Sequence, residues 1–170
     1  MIVRLTRSTL RPWQAGDQPS LMYHANNRNI WINVRDNFPF PYTFMDAERW
    51  VLHASSNLRD LAFAVTVDDI AVGGIGLIPK DDVYRKTMEI GYWLSEEYWG
   101  RGITSEAVGA VRDYAFSHFD IVRLFAEVFE WNSVSMHILE KNKFKCEARL
   151  HNAIIKDEKI GDVMIYAITK

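Results

Sequence analysis

Cysteine is almost absent from this chain: the only one in 170 residues is Cys146. An intrachain disulfide is therefore excluded, and nothing argues against a reducing cytoplasm, which is the expected location. Long apolar runs are missing too. The longest, residues 70–78, ends between Asp69 and Lys80, whereas a membrane-spanning helix needs about 20 apolar residues. Residues 1–10 carry Arg4 and Arg7 and no apolar core, so no secretory signal is expected. Neither sign of charge is in excess. Twenty basic and 22 acidic residues leave a net charge of −2, which gives no basic footprint for nucleic acid. His24, His53, His118, His137 and His151 show no metal-ligand spacing, and no metal is expected. There are no internal repeats and no low-complexity linkers.

What is present suits one soluble, folded domain. Hydrophobic residues make up 48% of the chain and charged residues 25%, an ordinary globular balance. Residues 1–170 are long enough to bury a core and are read as a single domain.

The chain is organised around Tyr98-Trp99-Gly100-Arg101-Gly102-Ile103-Thr104-Ser105-Glu106-Ala107. A strand-like run, 87–94, precedes it. A helix over 103–119 follows, with Ile103, Ala107, Val108, Val111, Tyr114, Ala115 and Phe119 on one stripe. A turn with two glycines thus feeds the first turn of a helix. The first amides of a helix have no acceptor within it, and the helix dipole makes that end positive. Such an end binds phosphate oxygens. Gly100 and Gly102 let a ligand approach the backbone, and Arg101 adds a positive charge. The pattern reads as a pyrophosphate cradle. It is not a P-loop, because no Lys-Ser/Thr pair follows the second glycine, and the third glycine of the dinucleotide fingerprint is missing.

The other elements follow in order. Residues 2–13 read as a first strand. Asp17 caps a helix over 20–27, and Ile30, Trp31 and Val34 mark a short second helix. Pro39 and Pro41 bar a helix interior and make an extended aromatic loop. Asp46 caps a third helix over 47–56, with Trp50, Val51 and Ala54 as its apolar face. Residues 61–67 and 70–78 form a hairpin about Asp68-Asp69. Gly73, Gly74 and Gly76 in its second strand point to close approach by another backbone. Residues 79–85 are a polar loop. Residues 123–129 are a buried strand, and Asn132 caps a helix ending near Asn142. Residues 145–155 and 163–168 form a last hairpin about a turn over 156–161. Periodicity alone reads this order as α/β.

Four segments carry a family resemblance. Trp-Gly-Arg-Gly followed by Glu-Ala, after Glu89-Ile90-Gly91-Tyr92-Trp93-Leu94, resembles motif A of the GNAT N-acetyltransferases in their RimJ/RimL branch. Gly102 matches the central glycine. Trp99 stands where Gln or Arg is usual, and Thr104 where Gly or Ala is usual. The run from Asn132 through Ser135 and Leu139-Glu140-Lys141 to Phe144 resembles motif B, with Asn142-Lys143 in place of Leu-Gly. Phe38-Pro39-Phe40-Pro41-Tyr42-Thr43 is similar to the aromatic-proline segment of the same branch, and Asp162 precedes the last strand as it does there.

This resemblance implies a mixed, mostly antiparallel central sheet of about seven strands flanked by helices. It implies acetyl-CoA as cosubstrate and direct attack by a primary amine, either a small-molecule amine such as a polyamine or a protein N-terminus. The cofactor contacts it implies are Trp93, Leu94, Gly100, Arg101, Gly102, Ile103, Thr104, Ser105, Asn132, Ser135 and Lys141. Glu89 is the candidate base. A backbone N–H near Leu94 is the expected oxyanion donor. Relatives use a tyrosine as acid where this chain has Leu139, which leaves Ser135 as the candidate. Trp31, Phe38, Phe40 and Tyr42 are the expected acceptor wall. A non-catalytic CoA-binding or sensing module is the alternative that the Trp99, Thr104 and Leu139 departures keep open. A homodimer is the base-rate expectation for assembly.

Overall fold

The computed structural model describes residues 1–57 and 61–170. Its strands are β1 (Val3–Arg4), β2 (Thr9–Pro12), β3 (Ala62–Val67), β4 (Ile70–Pro79), β5 (Thr87–Leu94), β6 (Arg123–Phe129), β7 (Lys145–Lys156) and β8 (Lys159–Thr169). Its helices are α1 (Gln18–Ala25), α2 (Arg28–Trp31), α3 (Phe44–Asn57), α4 (Ile103–His118) and α5 (Ser133–Lys141). Among the described residues the eight strands form one mixed sheet, in the order β1-β2-β3-β4-β5-β6-β8-β7. β5 and β6 run parallel, while β1–β2, β2–β3, β3–β4, β6–β8 and β7–β8 are antiparallel. The expected α/β architecture is therefore present, with one strand more. The extra strand arises because 2–13 is not continuous: Leu5 N–H donates to the Ser8 carbonyl at 2.8 Å and turns the chain.

The chain folds as two compact units, Met1–Gly76 with Tyr92–Ala107, and Leu77–Gly91 with Val108–Lys170. In the first, Trp13, Leu21, Ala25, Tyr42, Ala47, Val51 and Ala54 are buried together. Asp17 occupies the N-cap position of α1, but its side chain makes no cap bond. The Arg11 guanidinium takes both carboxylate oxygens at 2.8 Å instead. A buried arginine needs that partner more than the helix needs a side-chain cap. α3 begins earlier than expected, with Thr43 as its cap. Asp46 N–H donates to Thr43 Oγ1 at 3.3 Å, and Thr43 N–H donates back to the Asp46 carboxylate at 2.9 Å. That reciprocal pair is a capping box. The β3–β4 turn is Asp68-Asp69, both in the left-handed region (φ 49° and 64°), as a two-residue hairpin turn requires.

In the second unit, Thr87–Glu89 of β5 pair with Arg123–Phe125 of β6. The loop before β5 contains a single 3-10 turn, Asp82–Tyr84. The β7–β8 turn is tighter than expected, with Asp157 and Glu158 at φ 52° and 64°. Asp162 pins an irregularity in β7, accepting from Asn152 N–H at 2.8 Å, Arg149 Nε at 2.6 Å and His151 Nδ1 at 2.9 Å. Asn132 caps α5 as expected, its side chain accepting from Ser135 N–H at 3.1 Å.

Candidate active site

The glycine turn ahead of α4 has the backbone that its sequence demands. Gly100 and Gly102 both sit at positive φ, 73° and 79°. A Cβ built on either would meet no atom within 4 Å. The turn therefore needs glycine for its conformation, and open space lies where side chains would stand. Ile103 is buried and anchors α4, while Thr104 and Ser105 are half-buried in its first turn. Gly102 carbonyl accepts the first helical bond, from Glu106 N–H at 3.1 Å. Helix amides and open space suit a pyrophosphate.

Arg101, the positive charge expected at the cradle, is held by its own loop. Its guanidinium donates to the Glu97 carbonyl at 2.8 Å and lies 5.0 Å above the Tyr98 ring. A second arginine reaches the turn from far away in sequence: Arg7 donates to the Arg101 carbonyl at 3.1 Å. Thr6 N–H donates to the Glu106 carboxylate at 3.2 Å, which tethers the one acid in the first turn of α4. Trp99, the residue that departs from the family pattern, donates its indole N–H to the Leu94 carbonyl at 2.8 Å. It closes the turn that delivers Gly100. That bond also occupies one of the backbone groups expected to meet the pantetheine arm.

The end of β5 lies close to β4. A Cβ on Gly73 would stand 2.6 Å from the Trp93 carbonyl oxygen, and one on Gly74 would stand 2.8 Å from the Trp93 indole nitrogen. The expected close approach at these glycines is thus to Trp93. Phe38 packs edge-on against Trp93 (centroids 5.5 Å) and at a tilt against Tyr42 (5.0 Å). Trp31 and Phe40 pair at 5.7 Å, with Arg28 5.6 Å from the Trp31 ring. Three of the expected acceptor-wall and cofactor-strand residues, Phe38, Tyr42 and Trp93, are therefore in one aromatic cluster. Phe40 is exposed and Tyr42 buried. Burial pushes the Tyr42 hydroxyl well above the ordinary phenol range.

The remaining candidates belong to the second unit. Glu89 is 5% exposed, and its carboxylate is paired with Lys80 Nζ at 2.8 Å. The nearby Arg85 donates to the Asp82 carbonyl at 3.0 Å. Lys80 also lies 5.3 Å from the Phe125 ring. Ser135 is half-buried, Lys141 is exposed in the last turn of α5, and Leu139 is fully buried. Leu139 is thus a core residue without a proton to give. Lys80, Arg7 and the Trp99 indole bond escaped the sequence reading. No spacing rule points to any of the three. Among the described residues no cluster of His, Cys, Asp and Glu could hold a metal ion. No helix among them is long and apolar enough to cross a membrane. A surface depression of about 410 Å³ beside Gln18, Met45, Arg49 and Leu52 is lined by none of the expected site residues.

Comparison with known proteins gives a concordant picture. An N-acetyltransferase, p20, from Bacillus licheniformis is 28% identical over 172 residues, 96% of this chain and 93% of that protein. The spermidine N(1)-acetyltransferase of Escherichia coli strain K12 is 29% identical over 145 residues, 83% of this chain and 74% of the enzyme. The solved structure of RimL, a ribosomal L7/L12 alpha-N-protein acetyltransferase in complex with coenzyme A, has the same fold. It superposes with a TM-score of 0.81 at 22% identity, covering 99% of this chain and 98% of that one. The profile of the acetyltransferase (GNAT) domain matches residues 7–145. The chain belongs to the GNAT family and is an acetyl-CoA-dependent N-acetyltransferase.

Proposed function

We propose that the protein transfers the acetyl group of acetyl-CoA to a primary amine by direct attack, with a peptide or protein N-terminus as the favoured acceptor. The observation that carries the cofactor half is the cradle. Two positive-φ glycines open onto free space at the start of a 16-residue helix. In this reading the pyrophosphate lies on the amides of residues 101–105, and the pantetheine arm runs toward Trp93 and Leu94. Asn132, Ser135 and Lys141 are assigned to the cofactor as well.

The reaction requires a nitrogen lone pair. Glu89 takes the ammonium proton, directly or through one water. The amine nitrogen then bonds to the thioester carbon while an N–H near Leu94 meets the oxyanion. The C–S bond breaks, and the departing thiolate takes the proton that the newly acylated nitrogen gives up, with the Ser135 hydroxyl assigned to relay it.

The acceptor choice rests on the lining. One similar enzyme acetylates spermidine and a structural neighbour acetylates a ribosomal protein N-terminus. A polyamine is recognised by several carboxylates spaced along it. The face carrying Trp31, Phe38, Phe40 and Tyr42 is aromatic, and Arg28 stands over Trp31. The nearby Asp46 carboxylate is held by Thr43, and Glu96 by Asn27 and Asn29. The test is a thiol-release assay with acetyl-CoA and two acceptors, spermidine and a short peptide with a free N-terminal serine. Faster turnover of the peptide agrees with this reading; faster turnover of spermidine reverses the acceptor assignment.

A further inference from the structure

Residues 95–99 join the end of β5 to the glycine turn, so their placement sets where the cradle amides stand. Side chains from α1 and from the start of α2 hold this segment. Tyr23 donates to the Glu97 carboxylate at 3.0 Å. Asn27 and Asn29 donate to the Glu96 carboxylate at 2.8 and 3.0 Å. These contacts are exposed, and water competes for each of them. One contact differs. His24 Nδ1 and Ser95 Oγ lie 2.9 Å apart, with His24 8% and Ser95 3% exposed. Two polar side chains have been taken out of water to meet each other. Ser95 N–H also donates to the Val72 carbonyl of β4 at 2.8 Å. Ser95 is therefore the point where β4, the end of β5, α1 and the cradle loop are joined.

We infer that His24 is a positioning residue for the cofactor cradle, acting through its bond to Ser95, and that this bond ties α1 to the loop that delivers Gly100 and Gly102. The inference rests on the reading of the glycine turn as the cofactor site. Its physical basis is that cradle amides bind phosphate only when held to within a fraction of an ångström. The segment 95–99 has no regular strand or α-helix of its own to hold it; it contains only the 3-10 turn Glu96–Tyr98. The pair works with a neutral imidazole, one nitrogen donating and the other accepting. Burial holds His24 neutral by lowering its pKa below the usual 6.5, with the Glu97 charge opposing. The groups facing the ring are Ser95, the Tyr23 ring at 4.9 Å and the Tyr98 ring at 5.9 Å, with Glu97 as the nearby anion.

The experiment compares wild type, His24→Leu, His24→Asn, Ser95→Ala and the His24→Leu/Ser95→Ala double variant. CoA affinity is read by calorimetry, acetyl-CoA KM and kcat by thiol release, and folding by circular dichroism. His24→Leu and Ser95→Ala should each weaken CoA binding and raise KM about tenfold, with kcat changed far less. The double variant should be no worse than either single one, because one bond is lost in each case. His24→Asn, whose amide sits where Nδ1 sits, should recover most of the affinity. Folded single variants that bind CoA as wild type does would overturn the inference, as would additive losses. If His24→Leu fails to fold, Ser95→Ala and His24→Asn carry the same test. A wild-type protein that binds no CoA would instead remove the cofactor site itself.

Discussion

At Gly73 a single added methyl would stand 2.6 Å from the Trp93 carbonyl oxygen, with Leu94 atoms at 3.0 and 3.2 Å. Two of those three neighbours are backbone and cannot rotate away. Gly73→Ala should therefore destabilise the protein by about 1–3 kcal/mol, as overpacking does, which urea unfolding measures. Glu89 gives a different prediction. Glu89→Gln keeps size and burial but cannot accept the ammonium proton. It should lower kcat about 10²-fold or more and leave CoA affinity alone; unchanged turnover removes Glu89 from the base role. The sequence shows Glu89 on the right strand and the glycines on the right turn, because strand alternation and positive φ are local properties. The Lys80 ion pair and the Trp99 bond to Leu94 are not legible in it. They depend on how far a side chain reaches across a loop, and no spacing rule encodes that. The same holds for where the Arg101 guanidinium rests, on the Glu97 carbonyl and over the Tyr98 ring.

Elements were legible where local chemistry and packing agree. β5 and β6 lie at the expected residues, and so do the Asp68-Asp69 turn and the Asn132 cap. At two helix starts the carboxylate expected as the cap plays another part. Asp17 is drawn to Arg11, and Asp46 acts as the third residue of a box whose cap is Thr43. Thr43→Ala removes that cap and should cost about 1 kcal/mol. The thermal midpoint should then fall by about 2–4 °C. Asp162 makes a prediction about pH. Backbone and side-chain hydrogen bonds, Asn152 first and Arg149 next, hold its pKa down to about 2 against an ordinary 3.8. A depressed carboxylate contributes stability above its unfolded pKa and loses it as pH falls through the folded one. Asp162→Asn should thus cost most at pH 4 and above. Its stability deficit relative to wild type should shrink toward pH 2. A deficit that stays constant over that range would show that the ion pair and hydrogen bonds do not carry the effect.

For the whole molecule, the fold was legible because four weak motifs occur in the expected order over nearly the whole chain. The acceptor was not legible in the same way. Aromatic residues in 31–42 are the proposed wall, and whether such a wall repels or attracts a polycation depends on how neighbouring carboxylates and Arg28 are disposed around it. On the proposal made above, the glycine turn before α4 is where the protein holds acetyl-CoA. Isothermal calorimetry of wild type and Gly102→Glu against acetyl-CoA, CoA and ATP tests it most directly. Wild type should bind both CoA forms in the micromolar range and leave ATP without measurable heat. Gly102→Glu, which sets a carboxylate beside the pyrophosphate, should bind neither CoA form. Absence of wild-type binding, or CoA binding that survives Gly102→Glu in a folded protein, would contradict the claim.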